Sequence, residues 1–312
     1  MTPGAAAPYG RRFGSYAGQS YYGRPAIKPS HYRWLIAGYL FVGGIAGASQ
    51  ILAAVADLFG YRGVTRAGRY LALAGALMSP VLLICDLHTP RRWYNMLRII
   101  RPTSPMSIGS WVLTGFGTLS GLAALCQMLG ARVMGRVFGL PAAAAGAVVS
   151  CYTGSLLSAT SVPLWASAYR LLPPLFGTSA MSTAVAATSL AVEDEDAHLA
   201  LERMALAAGA AELALMVATE RRWREAAVDA PIRQKPRMAA AYRWGVLGLG
   251  VVVPLAIHAI HILTGRRSQP AANLANASAL VGGLIQRAVL TFAGNSSAER
   301  PEDYFSFTQR AA

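Results

Sequence analysis

Residues 34–59 read WLIAGYLFVGGIAGASQILAAVADLF, an apolar run whose only charge, Asp57, stands close to its end. A helix rises about 1.5 Å per residue, so about 20 residues cross the hydrocarbon core of a bilayer. This run is long enough to do so, and seven more follow it. The expected spans are about 34–59, 67–87, 107–129, 140–169, 175–192, 199–219, 242–264 and 272–293, the fifth being short and rich in Ala, Ser and Thr. They read as helices because a barrel strand would be only about 10 residues long and alternating. The expected fold is an all-α integral membrane protein with eight transmembrane helices. A polar arm, 1–33, precedes them and a tail, 294–312, follows.

Composition agrees. Of 312 residues, 54% are hydrophobic and 13% charged, against about 25% charged in a soluble domain. So few charges do not cover a water-facing surface, which argues against a soluble enzyme and against a disordered tail protein. Net charge is +14, and all basic residues but Lys28 and Lys235 are arginine. They cluster between the apolar runs, where membrane topology accounts for them better than nucleic acid does. Cys85, Cys126 and Cys151 all fall inside apolar runs without a C-x-x-C pair, so neither a disulfide framework nor a cysteine-ligated cluster is expected. Residues 1–30 are polar, with no apolar h-region, so no cleavable signal peptide is expected.

Eight spans place both termini on one side, side A. Basic residues divide 19 to 8 between side A and side B. That bias predicts cytoplasmic termini in a multi-pass protein of the cell's inner (plasma) membrane. The acidic run Glu193–Asp196 falls on side B. Two side A connections are longer than the rest. In 88–106, Trp93, Met96, Leu97 and Ile100 share one helical face flanked by arginines, the pattern of an interfacial helix. The 220–241 connection is basic and contains Pro231 and Pro236.

A charge inside the bilayer costs roughly 2.5–3.5 kcal/mol on insertion scales, so intramembrane charges are functional candidates. Glu212 in the sixth span and Arg287 in the eighth lie at about the same depth, roughly 20–22 Å from side B. They are expected to touch, directly or through one water, either as a proton relay or as a buried pair locking two helices. Asp57 reads as an interfacial or capping carboxylate, whereas Asp86 stands beside Arg91 and Arg92 at side A. Among the five histidines, His258 and His261 lie near side B with only His198 within reach, and His31 and His88 lie at side A. No facing pair sits within the core to hold a bis-histidine haem. Gly43 and Gly47, four apart, permit close approach of another helix. Tyr152 can donate a hydrogen bond to a quinone carbonyl or equally to a backbone carbonyl.

Several segments together resemble the NrfD/polysulfide reductase membrane-subunit family. They are Tyr39-Leu40-Phe41-Val42-Gly43-Gly44 with Ala46-Gly47, and Asp86-Leu87-His88-Thr89-Pro90-Arg91-Arg92-Trp93-Tyr94-Asn95-Met96-Leu97. Pro102-Thr103-Ser104-Pro105-Met106-Ser107, Tyr152-Thr153-Gly154 through Pro163-Leu164-Trp165, and Gly282-Gly283-Leu284-Ile285-Gln286-Arg287 to Gly294 follow in order. The likeness covers about residues 34–308. It departs at His88-Thr89, where the family commonly has Gly-Arg. It departs again at Tyr39, which stands where a polysulfide reductase of this family has a quinone-contacting histidine.

The resemblance implies two four-helix bundles and a quinone or quinol site (menaquinone or ubiquinone) near side A. It implies that Tyr152 and Tyr39 line the pocket, that Asp86, Arg92 and Ser104 lie near its mouth, and that this subunit holds no haem. The partners it implies are a ferredoxin-like iron–sulfur subunit and a molybdopterin-type catalytic subunit, with membrane lipid around them and no nucleic acid. The residues fit that expectation. A chain with neither cluster nor haem cannot carry electrons far by itself, and a quinone is a natural two-electron, two-proton carrier in the bilayer. The alternative is a non-catalytic anchor or a proton-conducting relay.

Overall fold

The computed structural model describes residues 27–98 and 100–309, so most of the polar arm and the end of the tail lie outside the described residues. Eight long helices make up the chain: α1 (Trp34–Phe59), α2 (Arg62–Asp86), α3 (Pro105–Met128), α4 (Arg132–Ser158), α5 (Leu172–Ala191), α6 (Glu195–Glu225), α7 (Pro236–Thr264) and α8 (Gln269–Ala298). No strand occurs among the described residues. Six of the eight, α1–α4, α7 and α8, are long and apolar enough to cross a membrane. α5 and α6 are not, for different reasons. α5 is largely enclosed by other helices, and its Ser179, Thr183, Thr188 and Ser189 are buried among them. An enclosed helix needs small residues for close packing more than it needs a lipid-facing surface. α6 has charged ends, starting at Glu195 and closing on Arg222, Arg224 and Glu225.

Several boundaries differ from the sequence expectation. α2 and α4 each start earlier than their apolar runs, at Arg62 and Arg132, because arginines in their first turns read as loop. α4 stops at Ser158 instead of running to 169, and a separate short helix, Pro163–Ser167, follows. Proline disfavours helical geometry in the residue before it and favours the first turn of a new helix. The expected interfacial helix in 88–106 is reduced to a 3₁₀ turn, Pro90–Arg92, and one helical turn, Asn95–Arg98. Pro90 and Pro102 leave too little chain between them for more. α8 runs on to Ala298, and Pro301–Gln309 forms a helix within the expected tail.

α1 is the hub, packed on α2, α4, α5 and α8. α3 lies against α2 and α4, α6 against α5 and α7, and α8 against α5 and α7. Where α1 meets α4 the backbones nearly touch: a Cβ on Gly47 would stand 2.4 Å from the Gly146 carbonyl oxygen. Gly43 faces α2 instead, with Ser79 Oγ 3.5 Å from its Cβ direction. Tryptophans tie the side A end together. Trp165 donates from Nε1 to the Leu290 carbonyl at 2.9 Å, and Trp223 donates to the Leu164 carbonyl at 2.8 Å. The Trp165 indole lies directly on Gly294, where any side chain would overlap it.

Candidate functional site

At side A three tyrosines gather. Tyr39, in the second turn of α1, is 5% exposed. Tyr152 projects from α4 and is half-buried, and Tyr32 precedes α1. Their phenol groups lie near one another. Tyr32 is held in place by its neighbours: Asn295 Nδ2 donates to its carbonyl at 2.8 Å, and its ring lies 6.1 Å from that of Trp165. Burial, with the Asp86 carboxylate nearby, pushes the Tyr32 phenol above its ordinary pKa. Asp86, at the end of α2, in turn faces the charges of Arg33 and His31.

Tyr152 Oη donates to the Pro105 carbonyl at 2.6 Å. Its ring occupies the place a side chain at Gly109 would fill, 2.2 Å from that Cβ direction. The backbone-carbonyl partner open to Tyr152 in the sequence is thus the one it has. The start of α3 is built around this ring: Ser104 caps it, accepting from the Ser107 amide, and Pro105 opens it. Arg92 is exposed on the preceding loop. Asp86, Ser104, Tyr39 and Tyr152 therefore share one end of α1–α4, with Arg92 beside them on the loop.

A second cluster lies in the middle of the other helices. Glu212 and Arg287 are both buried, and the Gln286 side chain bridges them where the sequence predicts a direct or water-mediated contact. Gln286 Nε2 donates to Glu212 Oε1 at 3.1 Å, while its Oε1 accepts from Arg287 Nη1. Arg287 Nη2 donates to the Phe176 carbonyl at 3.0 Å, and the guanidinium stacks 4.0 Å from the centre of the Phe176 ring. Gln286, the uncharged bridge, sits one residue from Arg287 on the same helix, and its residue type carries no signal of intramembrane charge.

Two side B clusters also escaped notice. Arg69, 2% exposed on α2, donates to Gln127 Oε1 at 2.7 Å, to the Gly135 carbonyl at 3.0 Å and to Asp57 Oδ2 at 3.3 Å. Asp57, two residues from the end of α1, is an ion-pair partner of both Arg69 and Arg136. On α6 and α7, Glu202, His258 and His261 are all buried with their donor atoms within 4.8 Å of one another. Glu202 Oε1 accepts from Arg267 Nε at 3.0 Å and lies 3.2 Å from His261 Nδ1. The Ser268 amide points at His261 Nε2, 3.4 Å away, which leaves the ring proton on Nδ1, facing Glu202. A metal-bound imidazole would need the opposite arrangement, donating from its outer nitrogen. With His258 Nδ1 4.0 Å from Glu202 and outside hydrogen-bond reach, Glu202, His261 and Arg267 read as a hydrogen-bonded ion network. Its signal in the sequence was matched depth, with Glu202 near the start of α6 and His261 near the end of α7.

Cavities open away from the tyrosines. One of about 220 Å³ lies at side A among Glu220, Trp223, Arg224, Tyr242 and Arg243. It borders the first turns of α7, which winds as a π-helix over Ala241–Val252. Another of about 300 Å³ lies at side B around Arg69.

Residues 19–300 match the NrfD-type family described as polysulfide reductase. The chain belongs to the NrfD polysulfide reductase family. A comparison with curated proteins gives no significant match. In this NrfD-family chain, most of the segments that carry the resemblance meet at side A, while Gly282–Arg287 lies in the middle of α8. The Tyr39–Gly44 run opens α1, Asp86–Leu97 forms the loop, and Pro102–Ser107 caps α3. Tyr152 lies on that cap, and Trp165 seats on Gly294. Pro163-Leu164-Trp165 thus serves as a structural latch between the short helix and α8.

Proposed function

We propose that this chain is the quinone-reactive membrane subunit of a multisubunit oxidoreductase, with its quinone site at side A beside Tyr39 and Tyr152. The observation that carries the reading is the convergence of Tyr32, Tyr39 and Tyr152 with Asp86 at one end of an NrfD-family chain. The donor set fits the group. Phenols donate to carbonyl oxygens, and a carboxylate at the interface exchanges protons with water. A quinone bound here would supply two-electron, two-proton redox chemistry.

In this reading Tyr39, buried and apolar on its flanks, orients one carbonyl. Tyr152 exchanges its bond to Pro105 for one to the ligand, a swap between similar hydrogen bonds that costs little net free energy. Asp86, between the Tyr32 phenol and the Arg33 and His31 charges, passes protons to and from side A. Arg92 and Ser104 lie at the mouth. The electrons go to or come from an iron–sulfur partner docked on side A, with a molybdopterin-type catalytic subunit behind it. All eight long helices span the inner membrane in this reading. α1–α4 and α5–α8 form its two bundles, and side A, with both termini, faces the cytoplasm.

Tyr152→Phe tests the site. Losing one hydrogen bond worth about 0.5–1.5 kcal/mol lowers quinone-linked turnover roughly two- to tenfold. Assembly and artificial-dye activity of the catalytic subunit should stay intact, because dye reduction bypasses the membrane. Unchanged quinone turnover in a normally assembled complex would return Tyr152 to its packing role against Gly109.

A second reading, a proton-conducting relay, is favoured by the buried chain Glu212–Gln286–Arg287. A small space lined by Ser182, His258 and Asn276 lies on its side B flank. Proton release that is unaffected by Glu212→Gln during turnover would remove that reading and leave the chain a structural role.

A further inference from the structure

We propose that the side B cavity among α1–α4 is a binding site for a phosphate-type oxyanion. It has a volume of about 300 Å³ and is lined by Arg62, Arg69, Arg132 and Arg136 with Asp57 and Gln127. Pockets that hold small ligands start at about this size.

Charge supports the assignment first. Four arginines face one carboxylate, and Asp57 is shared between two of them, 3.3 Å from Arg69 Nη2 and 3.0 Å from Arg136 Nε. Arg62 and Arg132 take part in no ion pair among the described residues, and both are exposed at the opening. The cavity therefore keeps an uncompensated positive field into which two guanidinium groups are free to turn.

Distribution supports it next. The topological bias puts few basic residues on side B, only 8 of 28. Half of those eight line this one cavity. Arginines that run against the bias need a local reason, and a bound anion supplies one.

Preorganisation supports it last. Arg69 is fixed by Gln127 and by the Gly135 carbonyl, and a side chain at Gly135 would come within 2.9 Å of its Nη1. The back wall is hydrogen-bonded in place, while Arg62 and Arg132 stand exposed at the mouth as donors without an ion-pair partner among the described residues. Planar guanidinium groups bind phosphate oxygens in pairs, which a single ammonium does not do. The cavity sits at the ends of membrane-crossing helices, at headgroup level, so the oxyanion can arrive as a lipid headgroup or as a free phosphate. These sources share one chemistry.

The test uses the purified full-length chain in neutral detergent, with native mass spectrometry and thermal melting as readouts. Phosphatidylglycerol and inorganic phosphate are added separately, and the variants are Arg62→Gln, Arg132→Gln and the double substitution. Neither residue supports the fold through an ion pair, and the single variants guard against misfolding of the double. One phosphatidylglycerol should be retained and should raise the melting temperature. Its affinity should fall about tenfold or more in the double variant, as two charge-assisted contacts are lost. Stabilisation by inorganic phosphate that is lost in the same variants would identify the free anion as the source. Stabilisation by phosphatidylglycerol alone would identify the lipid. Failure of both probes to bind, or binding of either that is unchanged in the double variant, would overturn the site.

Discussion

Gly282→Val should abolish stable folding of the membrane domain, whereas Gly115→Val should leave it intact. On α8, a Cβ at 282 would lie 2.0 Å from the Gly250 Cα and 2.4 Å from its nitrogen. These are backbone atoms of α7, so no side chain can turn aside to make room. Over-packing a well-filled core ordinarily costs about 1–3 kcal/mol because neighbours relax. Here relief requires separating two helices along their length, so the cost falls at or beyond the top of that range. The π-helical stretch of α7 covers Gly245 and Gly250, the positions that face α8. Gly115 on α3 has nothing within 4 Å of its Cβ direction, so the same valine there is the control. Folded yield and melting temperature in detergent decide the matter. Equal behaviour of the two variants would mean that α7 and α8 do not cross at Gly250 and Gly282.

Arg287→Met should destabilise the protein nearly as strongly, and Glu212→Gln added to it should restore most of the loss. Methionine keeps much of the buried stem of Arg287 but removes the charge. Glu212 and Gln286 then lose the cation at the end of their chain, and the Phe176 carbonyl loses its donor. Removing one partner of a buried ionic arrangement costs about 3–5 kcal/mol, chiefly because the other is left uncompensated, while removing both is often close to neutral. The expected pattern in thermal melting is therefore a large drop for Arg287→Met and a recovered midpoint for the double variant. A double variant no more stable than Arg287→Met would show that the two charges are not coupled through Gln286.

Much of the architecture was legible in apolar run length alone. α1 was read to its ends because its run is uninterrupted from Trp34 to Phe59. Runs failed where charge or proline falls inside a helix. Arg62 and Arg66 made the start of α2 look like loop, although the helix begins at Arg62. Arg132 and Arg136 hid the first turns of α4 in the same way. α5 illustrates the converse. Its weak hydropathy reflects enclosure by α1, α4, α6 and α8, a property of its neighbours that its own sequence does not carry.

The candidate site was legible as a set of segments but not as a set of bonds. The family resemblance groups Tyr39 and Tyr152 with Asp86, Arg92 and Ser104; in the structure Tyr39, Asp86, Ser104 and Tyr152 lie at one end of α1–α4, with Arg92 on the adjoining loop. The Tyr152–Pro105 hydrogen bond and the Gly109 cradle were not foreseen, because they depend on how far α4 tilts toward the start of α3. Tyr32 was passed over because it precedes the first apolar run. Its role follows from Asn295 and Trp165, both more than 100 residues away in the chain.

The most direct test of the central claim is photolabelling of the intact purified complex with an azidoquinone, followed by peptide mapping. The account predicts label in peptides containing Tyr39, Tyr152 or the Asp86–Ser104 loop, displaced by excess unmodified quinone. Displaceable label confined to the side A cavity at Glu220, Tyr242 and Arg243, or no displaceable label on this chain, would contradict it.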